Sequence, residues 1–250
     1  MINLLISGAL GRMGRKVYEA TLDVENVNVV CGIDYKNSDE LSFPVYDGYD
    51  KVSEKVDVII DFSSPSALDG LLKYATNKGV NAVLCATGYT SEDIEKINDA
   101  SKKIAIFRSA NMSLGVNVLI SLVKKATEQL NGFDVEIIEK HHNQKIDAPS
   151  GTALMLADAV KEVAEDKFYI YGREGICGKR NPQEIGIHAV RGGNIVGEHD
   201  VIFAGINETV TLSHVATDRS VFANGAVTAG VYLSDKKQGL YNMQDLVNGK

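Results

Sequence analysis

The chain of 250 residues carries 26 basic and 33 acidic side chains, a formal net charge of −7, and 44% of its residues are hydrophobic. This composition is ordinary for a globular protein, and the length allows one large domain or two modest ones. An acidic chain without a basic run disfavours nucleic-acid binding, and no run reaches the roughly 18 apolar residues of a membrane span. The first residues show no basic n-region or cleavage site, so we expect no secretory leader and a cytoplasmic protein. Cys31, Cys85 and Cys177 form no CxxC pair, which predicts reduced thiols and no zinc.

In the first part of the chain, short apolar runs alternate with segments of helical spacing. We predict strands over 3–7, 27–33, 57–61, 82–85 and 103–107, and helices over 12–22, 66–77 and 91–101. A capping box starting at Ser91 is expected to open the last of these helices. The alternation predicts parallel βαβ units and a Rossmann-like, doubly wound α/β sheet.

The second part of the chain, from Ala110 onward, has a different texture. We predict helices over 113–129, 152–165 and 223–233, and strands over 134–140, 187–191, 200–204 and 209–215. The succession of strands indicates a second, α+β domain with a mixed, largely antiparallel sheet. Because the helical pattern returns at Ala223, we expect residues 1–112 and 219–250 to form one domain and 113–218 the other, with hinges near Ser113 and Arg219.

A glycine-rich turn follows the first predicted strand. Gly8, Gly11 and Gly14 form a GxxGxxG pattern that lets backbone N–H groups approach a pyrophosphate at the start of the next helix. Asp34 ends the second predicted strand, 20 residues after Gly14, where a carboxylate holds the ribose hydroxyls of adenosine. The glycines alone also suit an ordinary turn, but together with Asp34 they predict a dinucleotide site.

Two basic residues leave the choice of nucleotide open. Arg12 lies inside the glycine turn, where it is placed to meet phosphates, and Lys36 follows Asp34 by two residues. The cation at Lys36 favours the 2′-phosphate of NADP, whereas the acid at Asp34 alone favours NAD. Lys36 is equally consistent with a solvated loop charge. The loops 61–65 and 85–89 end two further strands, and their small polar residues suit either nicotinamide contact or ordinary turns.

The most informative segment is 139–154, EKHHNQKIDAPSGTAL. His141 and His142 are adjacent, and Lys145 follows the first histidine by four residues. Histidine donates a proton near neutral pH, and an ammonium group holds a carboxylate or a developing negative charge. The sequence offers no further ligand spacing that favours a metal. The run Ser150-Gly151-Thr152 is a good helix N-cap, and it also suits an anionic ligand.

These motifs resemble those of the 4-hydroxy-tetrahydrodipicolinate reductase family, also called dihydrodipicolinate reductases. The resemblance covers nearly the whole chain, and its most specific part is 139–154, which matches the family pattern E-x-H-H-x-x-K-x-D-A-P-S-G-T-A. The further matches are the segments 8–15, 61–65, 109–117, 173–175, 186–191, 197–199 and 222–226.

The resemblance implies a role for each matched residue. His141 takes the position of the proton donor, and Lys145 that of a second catalytic residue, acting as a donor or as a substrate-orienting cation. Substrate binding is implied for His142, Gly151 and Thr152. Nucleotide binding is implied for Gly8, Ala9, Leu10, Gly11, Arg12, Met13, Asp34, Cys85, Ala86, Thr87, Ser109, Ala110, Asn111, Met112 and Arg219.

Several positions depart from the family pattern. Ala86 lacks a hydroxyl that members often have, and Met112 stands where many have Phe. Tyr35 replaces the Arg that often follows the ribose acid, and Gln144 replaces a His. The choice between NADPH and NADH therefore stays open.

The reaction implied by the resemblance is hydride transfer from NADPH or NADH to a cyclic, imine-type dicarboxylate. Water is lost and 2,3,4,5-tetrahydrodipicolinate forms, in lysine and diaminopimelate biosynthesis. The first domain is then the dinucleotide-binding domain, the second serves substrate binding and oligomerisation, and a homotetramer is implied.

Two alternative functions stay open. Another Rossmann dehydrogenase would share the glycine turn, but it does not need His-His-x-x-Lys before Pro-Ser-Gly-Thr. A nicotinamide-sensing protein without turnover needs a partner surface rather than a proton donor.

Overall fold

The computed structural model describes residues 1–249, which divide into two compact units. The first unit contains Met1–Leu114 and the residues from Ser220 onward, and the second contains Gly115–Arg219. Within the described residues, no helix is both long and apolar enough to span a bilayer.

The chain forms twelve strands and seven α-helices within the described residues. The strands are β1 Ile2–Ser7, β2 Val27–Ile33, β3 Val45–Tyr46, β4 Val58–Asp61, β5 Asn81–Leu84, β6 Ala105–Arg108, β7 Asp134–His141, β8 Phe168–Tyr171, β9 Glu184–Arg191, β10 Gly197–Ala204, β11 Thr209–Ala216 and β12 Gly239–Tyr241. The helices are α1 Arg12–Thr21, α2 Leu68–Lys78, α3 Ser91–Ser101, α4 Leu114–Gln129, α5 Gly151–Val163, α6 Ser220–Leu233 and α7 Met243–Val247.

The sheet of the first unit is parallel throughout, in the order β12-β6-β5-β4-β1-β2-β3. Successive side chains point to opposite faces of a strand. Leu4 and Ile6 therefore pack in one core with residues of α1 and α6, while Leu5 packs in a second core with residues of α2 and α3. The strand order reverses between β1 and β4, which makes their carboxyl ends the topological switch point. The Rossmann-like, doubly wound fold is confirmed.

The second unit has a mixed sheet in the order β11-β10-β7-β9-β8. Strand β10 pairs antiparallel with β7 and β11, whereas β9 pairs parallel with β7 and β8, so the predicted mixed sheet is confirmed. Burial alternates along β7, where Val135, Ile137, Glu139 and His141 are the buried residues. The two apolar residues join the core formed with α4 and α5, and the same face ends in a buried carboxylate and a buried imidazole.

Local details differ from the predictions. The cap of α3 is Thr90 rather than Ser91: Thr90 Oγ1 accepts from the backbone N of Asp93 at 3.2 Å, and Asp93 Oδ2 accepts from Thr90 N at 2.9 Å. The prediction was one residue late because the extended backbone that a cap needs lies at Thr90, and Ser91 is already helical. Four elements, β3, β8, β12 and α7, were missed because they are only two to five residues long and show too little periodicity.

Candidate active site

The glycine turn of the first unit permits a backbone arrangement that side chains would block. Gly8 has φ +78°, and a Cβ there would lie 2.9 Å from the carbonyl oxygen of Phe62. A Cβ on Gly14 would lie 2.1 Å from the carbonyl oxygen of Gly8. The N-cap of α1 is Gly11, which supplies no side-chain cap, and the first turn holds no acidic residue. This helix end therefore suits an anionic group such as a pyrophosphate.

Asp34 lies beside this turn and holds it in place. Its Oδ2 accepts a hydrogen bond from the backbone N of Leu10 at 2.8 Å, and its Oδ1 accepts one from Tyr35 N at 2.8 Å. A cavity of about 770 Å³ opens at this end of the sheet. Its lining includes Gly8, Leu10, Gly11, Arg15, Asp34, Tyr35, Lys36, Glu40, Ser63 and Ser64. Glycines, a helix end and a strand-terminal acid around one cleft at the switch point fit a dinucleotide.

Only some of the residues predicted to bind the nucleotide line this cavity. Arg12 is exposed and does not line the cavity, whereas Arg15, one helical turn later, does line it and donates from Nη2 to Glu40 Oε2 at 2.9 Å. Arg219 is an exposed residue of the second unit. The other predicted residues outside the lining are Ala9, Met13, Cys85, Ala86, Thr87, Ser109, Ala110, Asn111 and Met112.

Seven of those residues follow β5 and β6, whose carboxyl ends lie at the same edge of the parallel sheet as Gly8. That edge is where ligands of doubly wound folds bind.

In the second unit, a polar cluster is built on the buried face of β7. Glu139 is fully buried, and the Nδ1 atom of His141 lies 2.6 Å from its Oε2 atom. An ionised carboxylate only accepts hydrogen bonds, so Nδ1 carries the proton. Arg191 donates from Nη1 and Nη2 to the two carboxylate oxygens of Glu139 at 2.8 and 2.7 Å, and Ser150 N donates to Oε1 at 3.0 Å.

The charges of this cluster offset the cost of burial. Burial raises the pKa of Glu139, but the hydrogen bonds from Arg191, His141 and Ser150 lower it by more than burial raises it. The pKa of Glu139 is therefore below its ordinary value. Burial also lowers the pKa of His141, and the positive charges of Lys145 and Arg191 act in the same direction. Glu139 acts in the opposite direction and raises the pKa of His141, but the net shift is downward.

His199 on β10 completes the cluster and was not assigned a role from the sequence. It is 4% exposed, its Nε2 lies 3.0 Å from Ser150 Oγ, and its ring centroid lies 5.2 Å from that of His141. Burial lowers the pKa of His199 to about 4, with a smaller contribution from His141, so His199 is neutral near pH 7. The Ser150 hydroxyl accepts from Ala153 N at 3.1 Å, so its own hydrogen is available to His199. The segment Gly197-Glu198-His199, noted as a family match, was the one available signal.

The remaining predicted site residues lie on the loop after β7 and at the start of α5. Lys145 donates from Nζ to Asp147 Oδ1 at 2.8 Å, and its backbone N donates to the carbonyl oxygen of His142 at 3.2 Å. Ser150 caps α5, whose first turn starts with Gly151 and Thr152 and contains no acidic residue. Residues 1–249 contain no group of three or more His, Cys, Asp or Glu side chains that is arranged to hold a metal ion.

Comparison with known proteins gives consistent matches along the chain. Family models described as dihydrodipicolinate reductase, N-terminus and C-terminus, match residues 2–112 and 115–247. A 4-hydroxy-tetrahydrodipicolinate reductase of Caldanaerobacter subterraneus subsp. tengcongensis is 54% identical over 248 residues, which are 99% of this chain and 98% of that protein. One of Clostridium tetani is 48% identical over 250 residues, again 99% and 98% of the two chains.

A solved structure extends the similarity to three dimensions. The dipicolinate-bound dihydrodipicolinate reductase from Paenisporosarcina sp. TG-14 superposes with a TM-score of 0.81 at 27% identity, over 97% of each chain.

Doubly wound sheets with a glycine turn at the switch point are typical of oxidoreductases that use a nicotinamide dinucleotide, and this chain is of that class. Both halves match one family and the relatives match over nearly their full length. The chain belongs to the dihydrodipicolinate reductase family. The expected activity is thereby confirmed: reduction of 4-hydroxy-tetrahydrodipicolinate with NADH or NADPH, in lysine and diaminopimelate biosynthesis.

Proposed function

We propose that the reduction uses the polar cluster at the end of β7, with His141 as the proton donor. The nicotinamide, when bound, supplies the hydride, and the substrate gains this hydride and a proton and loses water. His141 delivers the proton, and Lys145 orients a substrate carboxylate or acts as a second donor. The observation that carries the proposal is the hydrogen bond of 2.6 Å between His141 Nδ1 and the fully buried Glu139. It leaves Nε2 to carry the proton that the imidazolium form gives to the substrate, after which the ring is neutral with its remaining proton on Nδ1.

The substrate we propose for this cluster is a small dicarboxylate. His142, Gly151 and Thr152 bind one carboxylate, because the first turn of α5 carries no competing acid and the end of a helix dipole attracts an anion. The dipicolinate bound to the reductase of Paenisporosarcina sp. TG-14 supports this class of ligand.

We further propose that residues 1–112 and 219–250 act as the dinucleotide-binding domain and 113–218 as the domain for substrate binding and oligomerisation. In the first, the glycine turn, Asp34 and the loops after β5 and β6 hold the nucleotide. The full proposed set is Gly8, Ala9, Leu10, Gly11, Arg12, Met13, Asp34, Cys85, Ala86, Thr87, Ser109, Ala110, Asn111 and Met112, together with Arg219 from the boundary. Asp34 favours NADH, whereas Lys36 lines the same cavity as a positive charge that favours a 2′-phosphate; Arg15 also lines it but donates to Glu40.

The proposed assembly is a homotetramer formed through the second unit. The sheet face opposite α5 carries apolar side chains that remain accessible, with Val190 44% and Val215 58% exposed. In the strand register both lie level with Lys140, whose Nζ donates to Glu198 Oε2 at 2.9 Å. Exposed apolar side chains on an open sheet face are typical of surfaces buried by association.

For a biosynthetic reductase that draws on the cellular nicotinamide pool, we propose a cytoplasmic location.

The test of the catalytic assignment is a pair of substitutions assayed with substrate made in place by the preceding synthase, with NADH and NADPH compared. His141→Gln keeps much of the volume but has no acidic proton, so kcat should fall about 10²–10⁴-fold, the usual range for general acid catalysis. Lys145→Ala should lower kcat and also raise KM. Gln144→Ala, on the exposed part of the same loop, is the matched control.

Binding of NADH, measured by fluorescence, should survive both changes, because the glycine turn belongs to the other unit. A folded His141→Gln protein with near-wild-type kcat would contradict the assignment.

A further inference from the structure

Among residues 1–249, the ring of His141 is hydrogen-bonded through one of its two nitrogens. Its Nδ1 lies 2.6 Å from Glu139, whereas its Nε2 points towards Gly197, where an added Cβ would lie 3.1 Å away. The carboxylate therefore defines both the tautomer and the orientation of the ring, as carboxylates commonly do for functional histidines. Glycine at position 197 keeps side-chain atoms away from the nitrogen that remains for chemistry.

Glu139 is in turn held by residues from two other segments. Arg191 on β9 donates to both of its oxygens and also donates from Nη2 to the carbonyl oxygen of Asp147 at 2.7 Å. Ser150, the cap of α5, donates its backbone N–H to Glu139 and its side chain contacts His199 on β10. A carboxylate with this many partners has little freedom to move, and it transmits that rigidity to His141.

We propose that Glu139 and Arg191 form an opposed pair of positioning residues for His141: Glu139 orients the ring and favours its protonated form, and Arg191 limits that preference so that the proton can leave. The inference rests on the proposed role of His141 as the proton donor. In this proposal both residues act through the imidazole: Glu139 contacts the ring directly, and Arg191 acts on it through Glu139 and by its charge.

The charges that face His141 predict the direction in which each substitution shifts its pKa. From its own strand the negative charge is Glu139; from β9 the positive charge is Arg191; and from the loop after β7 the positive charge is Lys145. His199, from β10, is neutral near pH 7, and the cap of α5 presents the uncharged Ser150. Removal of Glu139's charge should therefore lower the pKa of His141, and removal of Arg191's charge should raise it.

The experiment compares Glu139→Gln with Arg191→Met, which keeps part of the apolar stem. The pKa of His141 is followed in the full-length protein by NMR of labelled histidine, with the signal assigned by its loss in His141→Gln. We expect the titration to move by about one pH unit to lower pH in Glu139→Gln and by a similar amount to higher pH in Arg191→Met, the usual scale for a neighbouring charge. The alkaline limb of kcat should move in the same two directions, with KM changed less than threefold.

Glu198→Gln is the matched control, because Glu198 is a half-buried carboxylate on β10 that pairs with Lys140 on the other face of the sheet. It should leave the titration of His141 unchanged. Because Glu139→Gln leaves Arg191 without its partner, the double variant Glu139→Gln with Arg191→Met removes both charges together. Its titration should lie between those of the two single variants.

Shifts of the same sign in both single variants, or no shift in either, would overturn the inference. This outcome is separate from a failure of the proposed function, because the NMR titration does not depend on turnover. Opposite shifts together with an active His141→Gln protein would instead leave the electrostatic pair standing and reject His141 as the proton donor.

Discussion

Helix α6 approaches the segment after β6 so closely at Gly225 that a methyl group has no space there. A Cβ on Gly225 would lie 1.7 Å from the carbonyl oxygen of Met112 and 3.1 Å from Cε of Met243. The first contact involves backbone, which cannot move aside by changing a rotamer. Met112 belongs to the proposed nucleotide-binding segment, so the approach of α6 also positions part of that segment.

We predict that Gly225→Ala destabilises the protein by about 2 kcal/mol. Replacing Gly by Ala in a helix interior stabilises by about 1 kcal/mol, but overpacking against rigid atoms costs about 3 kcal/mol. The melting temperature should fall by roughly 4–8 °C, as measured by circular dichroism. NADH should also bind more weakly, because Met112 must move for the methyl group to fit.

Gly230→Ala is the matched control on the same buried helix. Its Cβ would lie 3.2 Å from Cδ1 of Ile60, the far end of a flexible side chain. The helix-propensity gain should then match or exceed the packing cost, so the melting temperature should stay level or rise. If Gly225→Ala melted at or above the wild-type temperature, the close approach of α6 to Met112 would not constrain the fold as argued.

Two further predictions concern Asp34 and the buried His199. Asp34→Ala should weaken NADH binding by about 1–3 kcal/mol, since the carboxylate braces Leu10 N and is proposed to hold the ribose; isothermal titration that returned the wild-type Kd would reject this role. His199→Gln should flatten the acid side of the stability profile. The pKa of His199 is lowered to about 4 in the folded state from an ordinary 6.5, so its contribution to stability is complete above pH 6.5 and is lost as the pH falls towards 4. The loss is on the order of 3 kcal/mol. The free energy of unfolding, measured in urea, is compared between wild type and variant across that pH range. If it fell equally in both proteins, His199 would not be the cause.

The sequence alone determined the features that depend on neighbours along the chain. The alternation of apolar runs and helical spacing predicted the βαβ sheet, because each element buries its own face with a local period. The glycine turn, Asp34 and the His141–Lys145 segment could be proposed as sites from the sequence because each pattern is formed by residues at short, fixed spacings along the chain. The cap of α3 shows the limit of such reasoning, since Thr90 and Ser91 are both capping residues and only the backbone decided between them.

Tertiary structure decided which residues surround His141. Arg191 lies 52 residues from Glu139, and His199 lies 49 residues from Ser150, yet both pairs are hydrogen-bonded. They meet because β9 runs parallel to β7 with Arg191 level with His141, and β10 runs antiparallel with His199 level with Glu139. Strand register depends on the packing of whole faces, so a shift of one residue would turn these side chains to the other face of the sheet. No local pattern carries that information, and Arg191 and His199 therefore join Glu139 and His141 only in the folded chain.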